Sequence, residues 1–112
     1  MSSLLRRTFV DSGVLIAAAR GDDEVGRRAM ALLDDPTRVF VSSALVRLEV
    51  LPTPTYNRFP LECDFFNAFF QEVETVVPVD EALTTLAFKL ACDSGLSAID
   101  ALHVAAACLG NA

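Results

Sequence analysis

The chain has 112 residues, 53% hydrophobic and 21% charged. That is the length of one domain, too apolar and too lightly charged for intrinsic disorder. The net charge is −6 but uneven: residues 1 to 59 carry eight arginines against seven acids, and residues 60 to 112 carry eight acids against Lys89 alone. The balance argues against a broad basic surface for nucleic acid, so any phosphate contact has to be local, and the acidic surplus is available to hold a divalent metal.

In chain order, residues 1 to 10 hold two arginines ahead of a short strand-like run, without the apolar length or small-residue cleavage site of a signal peptide, which predicts a cytoplasmic protein. Thr8 to Val10 reads as a strand ending at Asp11, followed by an alanine-rich helix over Ser12 to Ala19 that stops at Gly21. Asp22 and Asp23 are placed to cap a second helix through Leu33. There Val25, Ala29, Leu32 and Leu33 recur at helical spacing, with Arg27, Arg28 and Asp34 opposite. Val39 to Val41 is continuous in apolar character, as expected of a parallel strand covered on both faces. Ser42 or Ser43 caps a helix to Leu51, which Pro52 stops.

Pro52 to Pro60 reads as a surface loop. From Leu61 to Val73, Phe65, Phe66, Phe69 and Phe70 form one broad helical face, suited to a core or a dimer interface. Thr75 to Val79 predicts a third strand. Asp80 caps a helix ending at Ser94 and Gly95, and Ser97 opens a last helix to Leu109 that stops at Gly110. Strands alternating with helices predict a single α/β domain over residues 1 to 112, with a short parallel sheet flanked on both faces by helices. No stretch free of charged residues reaches the ~20 that a membrane span needs. Cys63, Cys92 and Cys108 are widely separated and form no Cys-x-x-Cys pair, so they read as small core hydrophobes rather than disulfides or zinc ligands.

In parallel sheets, ligands gather beyond the carboxyl ends of the strands. Three acids fall at that edge: Asp11 after the first strand, Glu49 in the helix after the second, and Asp100 in the first turn of the last helix. Each has an ordinary use. Asp11 fits a helix N-cap, Glu49 an exposed helix face, and Asp100 a capping box opened by Ser97. However, Glu49 and Asp100 sit in strongly apolar helices, where a buried carboxylate is costly unless paired or bound to a cation. Converging carboxylates repel one another, and a hard divalent ion such as Mg²⁺ or Mn²⁺ relieves that repulsion. Such an ion polarises phosphoryl oxygens and lowers the pKa of water, which is the chemistry of phosphodiester hydrolysis.

Phe9-Val10-Asp11-Ser12-Gly13-Val14-Leu15, Val41-Ser42-Ser43 leading to Leu48-Glu49-Val50-Leu51, and Leu96-Ser97 followed by Asp100-Ala101-Leu102-His103-Val104-Ala105-Ala106 resemble the PIN domain, particularly toxin ribonucleases of VapC type. The likeness runs along essentially the whole chain. It implies a three-layer PIN-like sandwich in which Asp11, Glu49 and Asp100 are catalytic, metal-binding acids holding Mg²⁺ or Mn²⁺. It further implies an RNA substrate, a homodimer and, for a toxin, a small antitoxin partner. Ser12 matches a hydroxyl residue that supports the first carboxylate or a metal-bound water.

The sequence departs from the family in two places. Gly13 stands where Asn or Ser is more usual. The family's further C-terminal strands, with a fourth acid near one of them, have no counterpart before Ala112. By the family's strand order, Thr8 to Val10 would then be a bare apolar edge, which predicts that a second chain covers it or that the sequence is truncated. Around the acids, His103 reads as a packing or hydrogen-bonding neighbour one turn after Asp100. Arg47 is a weak candidate for substrate binding, and Arg6 and Arg7 for unspecific backbone contacts. Asp80 and Asp93 read as caps or solvated positions.

Other acidic-pocket folds fit less well. A receiver domain needs a Lys after a late strand, whereas Lys89 lies mid-helix. An aspartyl phosphatase needs Asp-x-Asp and a P-loop needs Gly-Lys, and neither occurs. The serious rival is a catalytically impaired or truncated PIN-like scaffold kept for binding or dimerisation.

Overall fold

The strand-forming runs are short, and each hands over to a helix through a polar residue that can cap it. In the computed structural model, which describes residues 5–112, the strands are β1 (Arg6–Phe9), β2 (Arg38–Ser43) and β3 (Thr75–Val77). Residues 1–4 of the opening stretch lie outside the described residues. The strands pair in parallel in the order β1-β2-β3, with Phe9 opposite Val41 and Ser43 opposite Val77.

The helices are α1 (Ser12–Arg20), α2 (Glu24–Leu33), α3 (Ala44–Val50), α4 (Pro52–Tyr56), α5 (Pro60–Glu72), α6 (Glu81–Ser94) and α7 (Ala98–Leu109). Five of them start in the same way. The side chains of Asp11, Asp23, Ser43, Asp80 and Ser97 accept from the backbone N–H three residues on. Each such cap contributes about 1 kcal/mol to its helix. At the other end, Gly21 (φ 65°) and Gly95 (φ 68°) close α1 and α6 in the left-handed region, where a Cβ is unfavourable. The choice between Ser42 and Ser43 is resolved by division of labour. Ser43 caps α3, and the Ser42 hydroxyl donates to the Val10 carbonyl at 2.8 Å.

Both faces of the sheet are covered. On one, Val41 and Val77 pack against Leu83 and Ala87 of α6 and Ala101, Ala105 and Ala106 of α7. On the other, Val10, Leu15, Val46, Val50 and Phe66 form a second cluster, joined by Phe65, Phe69 and Phe70. The phenylalanine stripe is thus core. Leu15 and Leu83 are fully buried, so shortening either to Ala costs about 2–5 kcal/mol.

Three expectations are corrected. Pro52 to Pro60 is not simply a loop, because α4 occupies its first half with Pro52 at the start, where the missing N–H has no helical partner to lose. The buried side of α2 is Gly26 and Ala29 rather than Val25, which is 64% exposed. A Cβ on Gly26 would come within 2.8 Å of the Ala17 carbonyl oxygen, so the close approach of α1 and α2 needs glycine there. The cysteines are not core residues: Cys92 and Cys108 are exposed and Cys63 is half-buried, all three free. Among the described residues, β1 pairs with β2 alone, and no single helix is long and apolar enough to cross a membrane.

Candidate functional site

The direction of α7 follows from its contacts with β1. His103 lies against Phe9, the last residue of β1, with ring centroids 6.3 Å apart. At the far end of α7, the Gly110 carbonyl accepts from Arg7 Nε at 3.2 Å and Nη2 at 2.8 Å. The helix therefore runs back along the strand from Phe9 towards Arg7. Its first turn, with Asp100, stands at the carboxyl end of the sheet, where Asp11 leaves β1 and α3 leaves β2.

All three sequence-predicted acids are exposed. Asp11 Oδ1 accepts from the Val14 N–H at 3.1 Å and caps α1, as its ordinary reading predicts. Ser12, half-buried, is the first residue of α1. Asp100 is in the first turn of α7, and its own N–H donates to the Ser97 hydroxyl at 3.3 Å. Glu49 is tied across the fold: its Oε1 lies 2.9 Å from His103 Nε2. That contact joins α3 to α7 beside the end of β1, while His103 Nδ1 is buried without a hydrogen-bond partner.

The structure does not gather the three carboxylates into one group. Among the described residues, no three of His, Cys, Asp and Glu lie close enough to hold a metal ion. Part of the reason is local bonding, since Asp11 spends one oxygen on a helix cap and Glu49 spends one on His103. The chemistry of the donors nevertheless fits a hard divalent ion. They are carboxylate oxygens on exposed residues at the carboxyl end of a parallel sheet, and the two that are bonded each have a second oxygen.

The surroundings separate Arg47 from Glu49. Glu49 lines a cavity of about 320 Å³ with Ile16, Arg20, Phe59, Glu62 and Phe66. Arg47 lines a different depression, about 700 Å³, with Leu48, Leu51, Tyr56 and Asn67. The cation that shares the Glu49 cavity is therefore Arg20. Sequence reasoning missed it, although its helical spacing from Ile16 placed it on the same face of α1. Arg6 and Arg7 are engaged in ion pairs, with Asp35 and Glu74 respectively. Asp80 is a helix cap, as expected.

Comparison with known proteins follows the same lines. The PIN domain family model matches residues 8–112. No curated protein matches the sequence. Among solved structures, the chain is similar to one in VapBC2 from Rickettsia felis, solved bound to a DNA fragment from their promoter. The TM-score is 0.68 at 14% identity, covering 95% of this chain and 83% of that one.

Proposed function

This chain belongs to the PIN domain family, and from that premise we propose that it is a Mg²⁺- or Mn²⁺-dependent ribonuclease, the toxin of a toxin–antitoxin pair. Asp11, Glu49 and Asp100 would hold the ion. When bound, the ion polarises a phosphoryl oxygen and makes a water nucleophilic near neutral pH. The chain's own residues do the rest. Ser12, next to Asp11, supports the first carboxylate. Arg20 shares the cavity of Glu49 and meets phosphate there, and Arg47 extends the cationic contact on the far side of α3. The small antitoxin and a second copy of the chain are the protein partners in this reading, and the cytoplasm is the compartment.

The observation that carries it is the family match together with three exposed acids at the carboxyl end of the sheet. The test is Mn²⁺ titration alongside cleavage of structured RNA with and without EDTA, in wild type and Asp11→Asn. Wild type should bind the ion and cleave only without EDTA. A wild-type protein that does neither would overturn the reading.

A second reading is a PIN-like module that binds or dimerises without catalysis. The observation favouring it is that the three acids are not gathered. RNA cleavage and Mn²⁺ binding that are both lost in Asp11→Asn would exclude it.

A further inference from the structure

We infer that His103 is a positioning residue for Glu49: its Nε2–H holds one carboxylate oxygen and leaves the other to face the ion. The inference rests on the metal-site reading of Glu49 and adds a role that the three acids do not include.

The argument begins with the proton. A carboxylate accepts and does not donate, so the 2.9 Å contact between Glu49 Oε1 and His103 Nε2 requires the proton on Nε2. Nδ1 is buried with no partner. An N–H there would be a buried donor without an acceptor, which costs more than leaving a lone pair. The proton therefore belongs on Nε2, with Nδ1 bare, and the tautomer is set by Glu49 itself.

The ring is also held against rotation. Phe9 leans on it at 52° between ring planes, and only 18% of the His103 side chain is exposed. Ala101, Ala105 and Ala106, next to it on α7, are packed into the core. The helix is fixed at both ends, by the Ser97 cap and by Arg7 on the Gly110 carbonyl. A glutamate on an exposed turn otherwise has three side-chain torsions to order. The bond to His103 restricts them before any ion arrives, as outer hydrogen bonds orient metal-binding carboxylates generally.

Because the chain has a single histidine, its imidazole nitrogens can be read without assignment by long-range ¹H–¹⁵N correlation. In the metal-free protein at alkaline pH, Nε2 should be protonated and Nδ1 not, and Glu49→Gln should shift the Nε2 signal. A proton on Nδ1, or a ring indifferent to Glu49→Gln, would overturn the inference. In Mn²⁺ titrations, His103→Leu should weaken binding by about 10–100-fold. His103→Gln, whose amide can still donate to Glu49, should stay much closer to wild type. Equal affinity in wild type and His103→Leu would overturn the inference, and the Gln variant guards against a Leu variant that fails to fold. Wild type that binds no Mn²⁺ would instead defeat the metal-site reading, while the ring spectrum would still uphold or overturn the Glu49–His103 link.

Discussion

The two ends of the sheet treat charge in opposite ways. At the amino end nearly every charge has a partner. Arg6 and Arg38 meet Asp35, Arg38 also donates to the Thr8 hydroxyl, and Arg7 bridges Glu74 and the Gly110 carbonyl. At the carboxyl end three acids are exposed, and among the described residues none of them meets a Lys or Arg, Glu49 accepting instead from the His103 ring. Charges paired within the chain add modestly to stability and are then spent. Exposed acids without a Lys or Arg partner add little to stability and stay available to a ligand. On this contrast, substitutions at the carboxyl end should change ligand binding more than folding, and those at the amino end the reverse.

The sharpest way to break that comparison is Asp11→Asn. Asn caps helices about as well as Asp, so the hydrogen bond to Val14 should survive and stability should change by no more than about 0.5 kcal/mol. RNA cleavage should fall by about 100-fold or more, because a charged ligand to the ion is lost. Thermal melts and cleavage assays on one preparation check both halves. A large loss of stability with unchanged cleavage would mean that Asp11 is only a cap.

Next comes the packing that anchors α7. A Cβ on Gly110 would lie 2.4 Å from Val41 Cγ1, so Gly110→Ala should destabilise by about 1–3 kcal/mol through overpacking. Arg7→Ala should have a smaller effect, about 1–2 kcal/mol, from the lost bonds to the Gly110 carbonyl and Glu74. Denaturant titration measures both. Neither should greatly alter Mn²⁺ affinity while the protein is folded. If Arg7→Ala weakened the ion more than it weakened the fold, the two ends would be coupled through α7 and the contrast would be blurred.

These cases also show what the sequence could and could not reveal. The fold was legible because its signals are local: Asp11, Asp23, Ser43, Asp80 and Ser97 each stand one residue before a helix whose N–H they accept. The helix α4 was hidden because proline reads as a breaker, although Pro52 sits in a first turn where it breaks nothing. The cysteines misled because composition gives their usual burial and says nothing about which helix face they occupy. At the candidate site, Glu49 and Asp100 could be picked out from their apolar neighbours and Asp11 from its place at the end of a strand. The pairing of Glu49 with His103 could not, because it depends on how α3 and α7 meet beside β1, and no local pattern encodes that. Arg20 entered the Glu49 cavity for the same reason, through the packing of α1 against α3 and α5.

The smallest effect expected is at the amino end and concerns pH. Asp35 is held below the usual carboxylate range, first by the Thr37 hydroxyl and then by the Thr37 N–H, which outweigh an opposing effect of burial, with Arg38 adding a lesser pull downward. The folded state therefore binds this proton less readily than the unfolded chain. The stabilisation is fully present above the unfolded value, about 3.9 for Asp, and is lost as pH falls through the lowered folded value. In Asp35→Asn the group no longer titrates, so the decline in stability over that acid window should be shallower than in wild type, with little change in slope above about pH 5. Urea titrations at a series of acid pH values measure the slope. A wild-type and a variant curve that run parallel below pH 4 would show that the Thr37 bonds do not distinguish folded from unfolded Asp35. The amino end would then owe none of its acid dependence to Asp35, and the Arg7 and Gly110 packing would be its firmer anchor.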